Sequence, residues 1–155
     1  MRMENDSAGP STEYVTAVVG DQLFGLPIAR VQDVFKPDRM TRVPLSSQDI
    51  AGILNLRGRI VTVIDMRCRL DIAEHKSGQP PMAIGIECRG ESYGLLIDKI
   101  GEVMRLPDSM RENNPVNLDA RLAQVSSGVI RLDSQLLVVL DIDRVLHVNA
   151  QIKAA

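Results

Sequence analysis

Side chains able to do acid–base or covalent chemistry are few in this sequence, and their spacing isolates them. The two histidines, His75 and His147, have no nucleophile beside them in sequence, so neither reads as a general base. Ser46, Ser47, Ser126 and Ser127 lack the Gly-x-Ser-x-Gly elbow that exposes a nucleophilic serine. Cys68 and Cys88, the only cysteines, are too few and too far apart for a zinc site and are expected as two thiols rather than a disulfide. Asp65 and Asp141 look like a carboxylate pair. Each, however, closes an aliphatic run at the same point of a repeated pattern, which marks both as helix N-caps. Gly58 is alone in its turn, so no phosphate-cradling loop forms. The chain is therefore not expected to be an enzyme, and no cofactor or metal is expected. What remains is recognition chemistry: Arg57, a planar five-donor cation on the turn Asn55-Leu56-Arg57-Gly58.

The elements that must position this arginine are written twice. Phe24-Gly25-Leu26-Pro27-Ile28-Ala29-Arg30-Val31-Gln32-Asp33-Val34 returns 69 residues later as Tyr93-Gly94-Leu95-Leu96-Ile97-Asp98-Lys99-Ile100-Gly101-Glu102-Val103. Gly52-Ile53-Leu54-Asn55-Leu56 and Ile60 to Asp65 recur 76 residues on, as Gly128-Val129-Ile130-Arg131-Leu132 and Leu136 to Asp141. The copies differ most at the second hairpin, where Asn55-Leu56-Arg57-Gly58 is replaced by Arg131-Leu132-Asp133-Ser134. A scaffold shared by both copies leaves that difference as the place to look for function.

Short β-branched runs bounded by Gly, Pro or Asp predict strands, in an all-β chain with short helices. Tyr14–Val19 and Leu23–Leu26 form a hairpin, as do Met82–Glu87 and Ser92–Ile97. Val31–Phe35 and Gly101–Leu106 supply third strands that end before a proline. Gly52–Leu56 with Ile60–Ile64, and Val129–Leu132 with Leu136–Leu140, complete about five strands per copy. Helical turns are expected at Ser46–Ile50, over Leu118–Val125 with Asp119 near its start, and after Asp65 and Asp141. Closing each copy into a small barrel removes exposed edges. The expected division is a flexible tail over 1–12, a first barrel over about 13–75 and a second over about 80–148. A strand or segment exchange between the barrels is allowed, and a C-terminal tail covers 149–155. Barrels this small bury little surface alone, so the two are expected to share an apolar interface.

The bulk composition narrows the partners. At 155 residues with a net charge of −2, the chain gives no electrostatic case for nucleic acid. No apolar run reaches the roughly 18 residues of a membrane span, and the polar N-terminus has no apolar stretch of a secretory signal. A cytoplasmic protein without membrane insertion is expected. The alternative in a different functional class is a small-molecule- or oligonucleotide-binding β-barrel, and only four aromatics, two Phe and two Tyr, argue against base stacking.

Gly52 to Arg67, read whole, resembles the signature of CheW-like domains, the coupling modules of bacterial chemotaxis, with their Asn-Leu-Arg-Gly turn followed by an aliphatic strand and Asp. Phe24-Gly25-Leu26, Val31-Gln32-Asp33 and Gly94-Leu95-Leu96-Ile97-Asp98 match the family's other patterns, so the resemblance runs from about Glu13 to Leu146. Thr62 stands where the family usually has Pro. The resemblance implies two five-stranded, SH3-like barrels and an adaptor joining the cytoplasmic tips of methyl-accepting chemoreceptors to the histidine kinase CheA. A coupling protein of a non-chemotactic receptor–kinase array is the alternative within that class. The resemblance further implies a receptor groove between the barrels. Val31 and Asp33 would lie on one wall, Gly52, Asn55, Arg57 and Gly58 on the facing hairpin, and Met82 at the start of the second copy. Arg57 has two open roles, bonding the receptor or pairing with Asp33. The kinase contact is expected at a barrel end, on residues the motifs leave unassigned.

Overall fold

The computed structural model describes residues 9–44, 48–72 and 80–146. Eleven strands form two sheets, β1 (Ser11–Val19), β2 (Gln22–Pro27), β3 (Val31–Phe35), β4 (Ile50–Leu56), β5 (Arg59–Asp65), β6 (Met82–Cys88), β7 (Glu91–Ile97), β8 (Lys99–Pro107), β9 (Arg111–Glu112), β10 (Ser126–Arg131) and β11 (Leu136–Leu140). Three short α-helices, α1 (Met66–Leu70), α2 (Ala120–Val125) and α3 (142–146), and two 3-10 turns (Ile28–Arg30 and Asp108–Met110) join them. The chain is all-β with short helices, as the alternation of its apolar runs requires.

The strands do not divide at the linker. One sheet has the order β8-β1-β2-β11-β10-β9 and the other β3-β6-β7-β5-β4. Each sheet therefore takes its first hairpin from the opposite half of the chain. The parallel pairings β2–β11 and β5–β7, with the antiparallel pairings β1–β8 and β3–β6, are the seams of this exchange. Strands from both halves of the chain are thus mixed in each sheet. The repeat identifies equivalent hairpins, but both fit either sheet with the same alternation, so periodicity alone cannot assign them. Ser11 and Thr12, expected in the tail, instead extend β1 by pairing with Pro107 and Leu106. Ser46 and Ser47, placed in an expected helical turn, lie outside the described residues, as do His75, His147 and the expected C-terminal tail.

Three apolar clusters hold the sheets. The largest joins Val15, Ala17, Phe24 and Leu26 of β1–β2 to Ile84, Ile86, Leu95 and Ile97 of β6–β7, so the exchanged hairpins meet in it. Residues of all three helices enter the same cluster: Met66, Val125 and Val145 are buried there. A second cluster lies within the six-stranded sheet (Tyr14, Leu23, Ile130, Leu137), and a third within the five-stranded sheet (Leu54, Val61, Val63 with Phe35). The run Leu136–Leu140 is apolar throughout because β11 is buried on both faces. Leu137 and Val139 enter the second cluster and Val138 and Leu140 the first. Each fully buried aliphatic side chain contributes roughly 1.5–3 kcal/mol.

The helices start where their caps predict. Asp65 Oδ1 accepts the Arg67 and Cys68 amides (3.0 and 3.4 Å), Asp119 that of Arg121 (2.8 Å) and Asp141 that of Arg144 (3.2 Å). The two repeated aspartates are caps in both copies.

Candidate functional site

The turn that carries Arg57 is built to be stiff. Arg57 and Gly58 both take positive φ (54° and 83°), the pattern of a two-residue type I′ hairpin that matches the twist of β4 and β5. Asn55 Oδ1 accepts the Gly58 amide (2.9 Å) and locks the tip. Holding a non-glycine residue in this region costs about 1 kcal/mol. The turn is therefore maintained by its surroundings rather than by the preference of Arg57. Arg89, with φ 52°, opens an equivalent turn between β6 and β7, so the geometry alone does not single out Arg57.

Position does. β3 and β4 are opposite edges of the five-stranded sheet, yet Arg57 Nη1 lies 3.6 Å from Asp33 Oδ2. The sheet curls far enough to bring its edges together. A backbone bridge reinforces the curl, because Thr41 and Ile53 exchange two hydrogen bonds of 2.8 Å. Gly52 permits that crossing, since a Cβ there would stand 2.8 Å from Thr41 O. Asp33 is held from below in the same way: a Cβ at Gly85 of β6 would collide with its carboxylate. Arg57 is 78% exposed, so this ion pair contributes at most about 1 kcal/mol and leaves most of the guanidinium's donors facing solvent. The pairing role anticipated for Arg57 is present, and its exposure leaves the recognition role open too.

Of the seven anticipated residues, Asp33, Asn55, Arg57 and Gly58 share one corner. Gly52 lies on the same strand, beneath the Thr41 crossing. Val31 and Met82 are half-buried against the large cluster between the sheets. Val31 pairs with Ile86, four residues from Met82 along β6, so the two are about 13 Å apart at 3.3 Å per residue. They flank the inter-sheet core rather than meeting the hairpin. Gly85 was not anticipated, although a glycine inside a strand pattern is the signal of close backbone approach. Thr62, where proline is usual, lies in a strand flanked on both sides, paired with Ile53 and with Tyr93.

Behind the hairpin, α1 carries perturbed groups. Burial, then hydrogen bonding to Asp49, pushes the Cys68 thiol up to about 11. Burial pushes the Arg69 guanidinium down, against the raising influence of Asp49, whose Oδ2 lies 3.8 Å from Arg69 Nε. Cys68 and Cys88 are free thiols. Ser126 Oγ is engaged with Asn114 (2.7 Å) and Gly128 O (2.9 Å), and Ser127 Oγ accepts from Arg111 (2.6 Å). No helix of the described residues is long and apolar enough to cross a membrane.

A model of the CheW-like domain matches residues 13–150. The chain belongs to the CheW-like family. Its CheW-like domain is 26% identical to the chemotaxis protein CheW of Bacillus subtilis, over 86% of each chain. It is 22% identical to that of Helicobacter pylori, over 94% of this chain and 92% of the relative. In three dimensions it is similar to the crystal structure of the scaffolding protein TtCheW from Thermoanaerobacter tengcongensis. The TM-score is 0.76 at 27% identity, covering 85% of this chain and 90% of that one.

Proposed function

We propose that this chain is a non-enzymatic chemotaxis adaptor that couples methyl-accepting chemoreceptors to the histidine kinase CheA. The observation that carries the reading is the corner formed by Asp33, Asn55, Arg57 and Gly58. There a locked type I′ turn presents an arginine that is exposed yet tethered. Family membership and the scaffold relative support it. The chemistry is recognition: a preorganised arginine offers several donors to polar groups of a receptor helix, while Val31 and Met82 supply apolar edges along the inter-sheet face. The soluble adaptor works at receptor arrays, to which its partners recruit it.

Binding of receptor signalling fragment and kinase, by pull-down and calorimetry, tests the reading. Arg57→Ala should weaken receptor binding about tenfold, as expected for truncation of a central interface arginine. Its melting temperature should shift by no more than about 3 °C, because the exposed ion pair contributes little. Unchanged receptor binding together with unchanged kinase activation removes the assignment.

A further inference from the structure

The six-stranded sheet carries its own version of the Arg57 corner, with the charge reversed. By the repeat, Glu102 of β8 stands where Asp33 stands, and Asp133 of the β10–β11 turn stands where Arg57 stands. In the five-stranded sheet the acid on the edge strand is answered by the arginine of the turn (3.6 Å). In the six-stranded sheet both positions are acidic, and neither carboxylate has an ion-pair partner among the described residues. Arg131, the one cation of this turn, lines the same cleft as the two carboxylates, with its guanidinium paired to Glu112 of β9 (3.1 Å).

This cleft, lined by both Glu102 and Asp133, has a volume of about 430 Å³. Leu23, Leu132 and Met104 of the small cluster within this sheet and the exposed Met110 supply its apolar part, beside polar Arg131, Ser134 and Gln135. The strand carrying Glu102 is fixed, because the buried Thr16 hydroxyl donates to Glu102 O (2.6 Å). An apolar lining between two acids fits a side chain with an aliphatic stem and a cationic head. In the other sheet the acid at the equivalent strand position is met by such a residue, the exposed Arg57.

We propose that this cleft receives an arginine or lysine side chain from the kinase partner, supplying across an interface the cation that Arg57 supplies to Asp33 within the other sheet. The inference rests on the adaptor reading. An adaptor must hold two partners at once, and the receptor is assigned to the Arg57 corner. The equivalent corner lies on the other sheet and offers a second site.

The test is titration of the full chain against the full-length kinase and, separately, against receptor signalling fragment. Asp133→Arg rebuilds the internal pair within the cleft and should weaken kinase binding at least tenfold while leaving receptor binding within twofold. The isosteric pair Glu102→Gln with Asp133→Asn keeps the shape of the cleft. It should weaken kinase binding severalfold and flatten its dependence on NaCl, since screened charge pairs account for that dependence. Kinase affinity and salt dependence unchanged in the isosteric pair would overturn the cleft while leaving the adaptor reading standing. An unmutated protein that binds neither partner removes the adaptor reading and this proposal with it.

Discussion

Asp33 is the residue on which the candidate corner turns, and what holds it is an absence of side chain. A Cβ at Gly85 would occupy the space of the Asp33 carboxylate. Gly85→Ala should therefore lower stability by roughly 1–3 kcal/mol, the usual cost of overpacking, and displace the partner of Arg57. Adding Asp33→Ser should recover most of that loss, because the clash and not the alanine is at fault. Thermal melts of the two single variants and the double one form a cycle whose coupling should exceed about 0.5 kcal/mol. Additive losses would show that Asp33 and Gly85 do not share the space. At this scale much of the site was legible in the sequence. Asn55, Arg57 and Gly58 lie in one local turn whose residue types dictate its form. Gly85 escaped because its role depends on Asp33, 52 residues earlier, and a local pattern cannot show what a strand glycine faces.

Hairpins and caps form from neighbours in sequence, which is why β4–β5, β6–β7 and the Asp65 and Asp119 caps were readable in advance. Longer ties were not. β1 begins at Ser11 because β8 pairs with it from some 96 residues away, and Thr12 Oγ1 donates to Asp108 Oδ1 (2.7 Å) across that separation. A second such tie links the segment before β4 to α1. Arg69 is buried, with its Nε 3.8 Å from Asp49 Oδ2, and Asp49 O accepts the Asp65 amide (2.7 Å). Burial disfavours the charged guanidinium, and Asp49 opposes that penalty. Removing only the acid leaves an uncompensated buried cation, so Asp49→Ala should cost about 3 kcal/mol and lower the melting temperature by roughly 6–12 °C. Replacing both, Asp49→Leu with Arg69→Met, should lie within about 1 kcal/mol of the unmutated protein. A double variant as unstable as Asp49→Ala would mean the segment is held by the ion pair itself, not merely penalised by its breakage.

At the scale of the whole molecule, the repeat announced two equivalent sheets but not which hairpin each would use. Equivalent hairpins carry the same alternation and share the Gly25/Gly94 position, so alternation does not separate self-pairing from cross-pairing, the condition under which segments exchange. The exchange has a consequence for folding. Residues 9–72 contribute β1–β2 to one sheet and β3–β5 to the other, and residues 80–146 are divided likewise. Neither half contains a complete sheet, and the large cluster draws Phe24 and Leu26 from one half and Ile84, Leu95 and Val138 from the other. A chain divided within 73–79 should therefore give two fragments, each without a cooperative melt. Mixed, they should recover native strand content by circular dichroism and one melting transition that rises with fragment concentration. The halves could also satisfy their patterns by pairing each hairpin with its own sheet, and a fragment that melted cooperatively alone would show that this contiguous arrangement is stable. The expectation here is the opposite, because the parallel seams β2–β11 and β5–β7 both cross the division. Those seams make the Asp33–Arg57 corner and the Glu102–Asp133 cleft parts of one cooperative unit, so cutting the linker should abolish both proposed binding activities together and mixing the fragments should restore both.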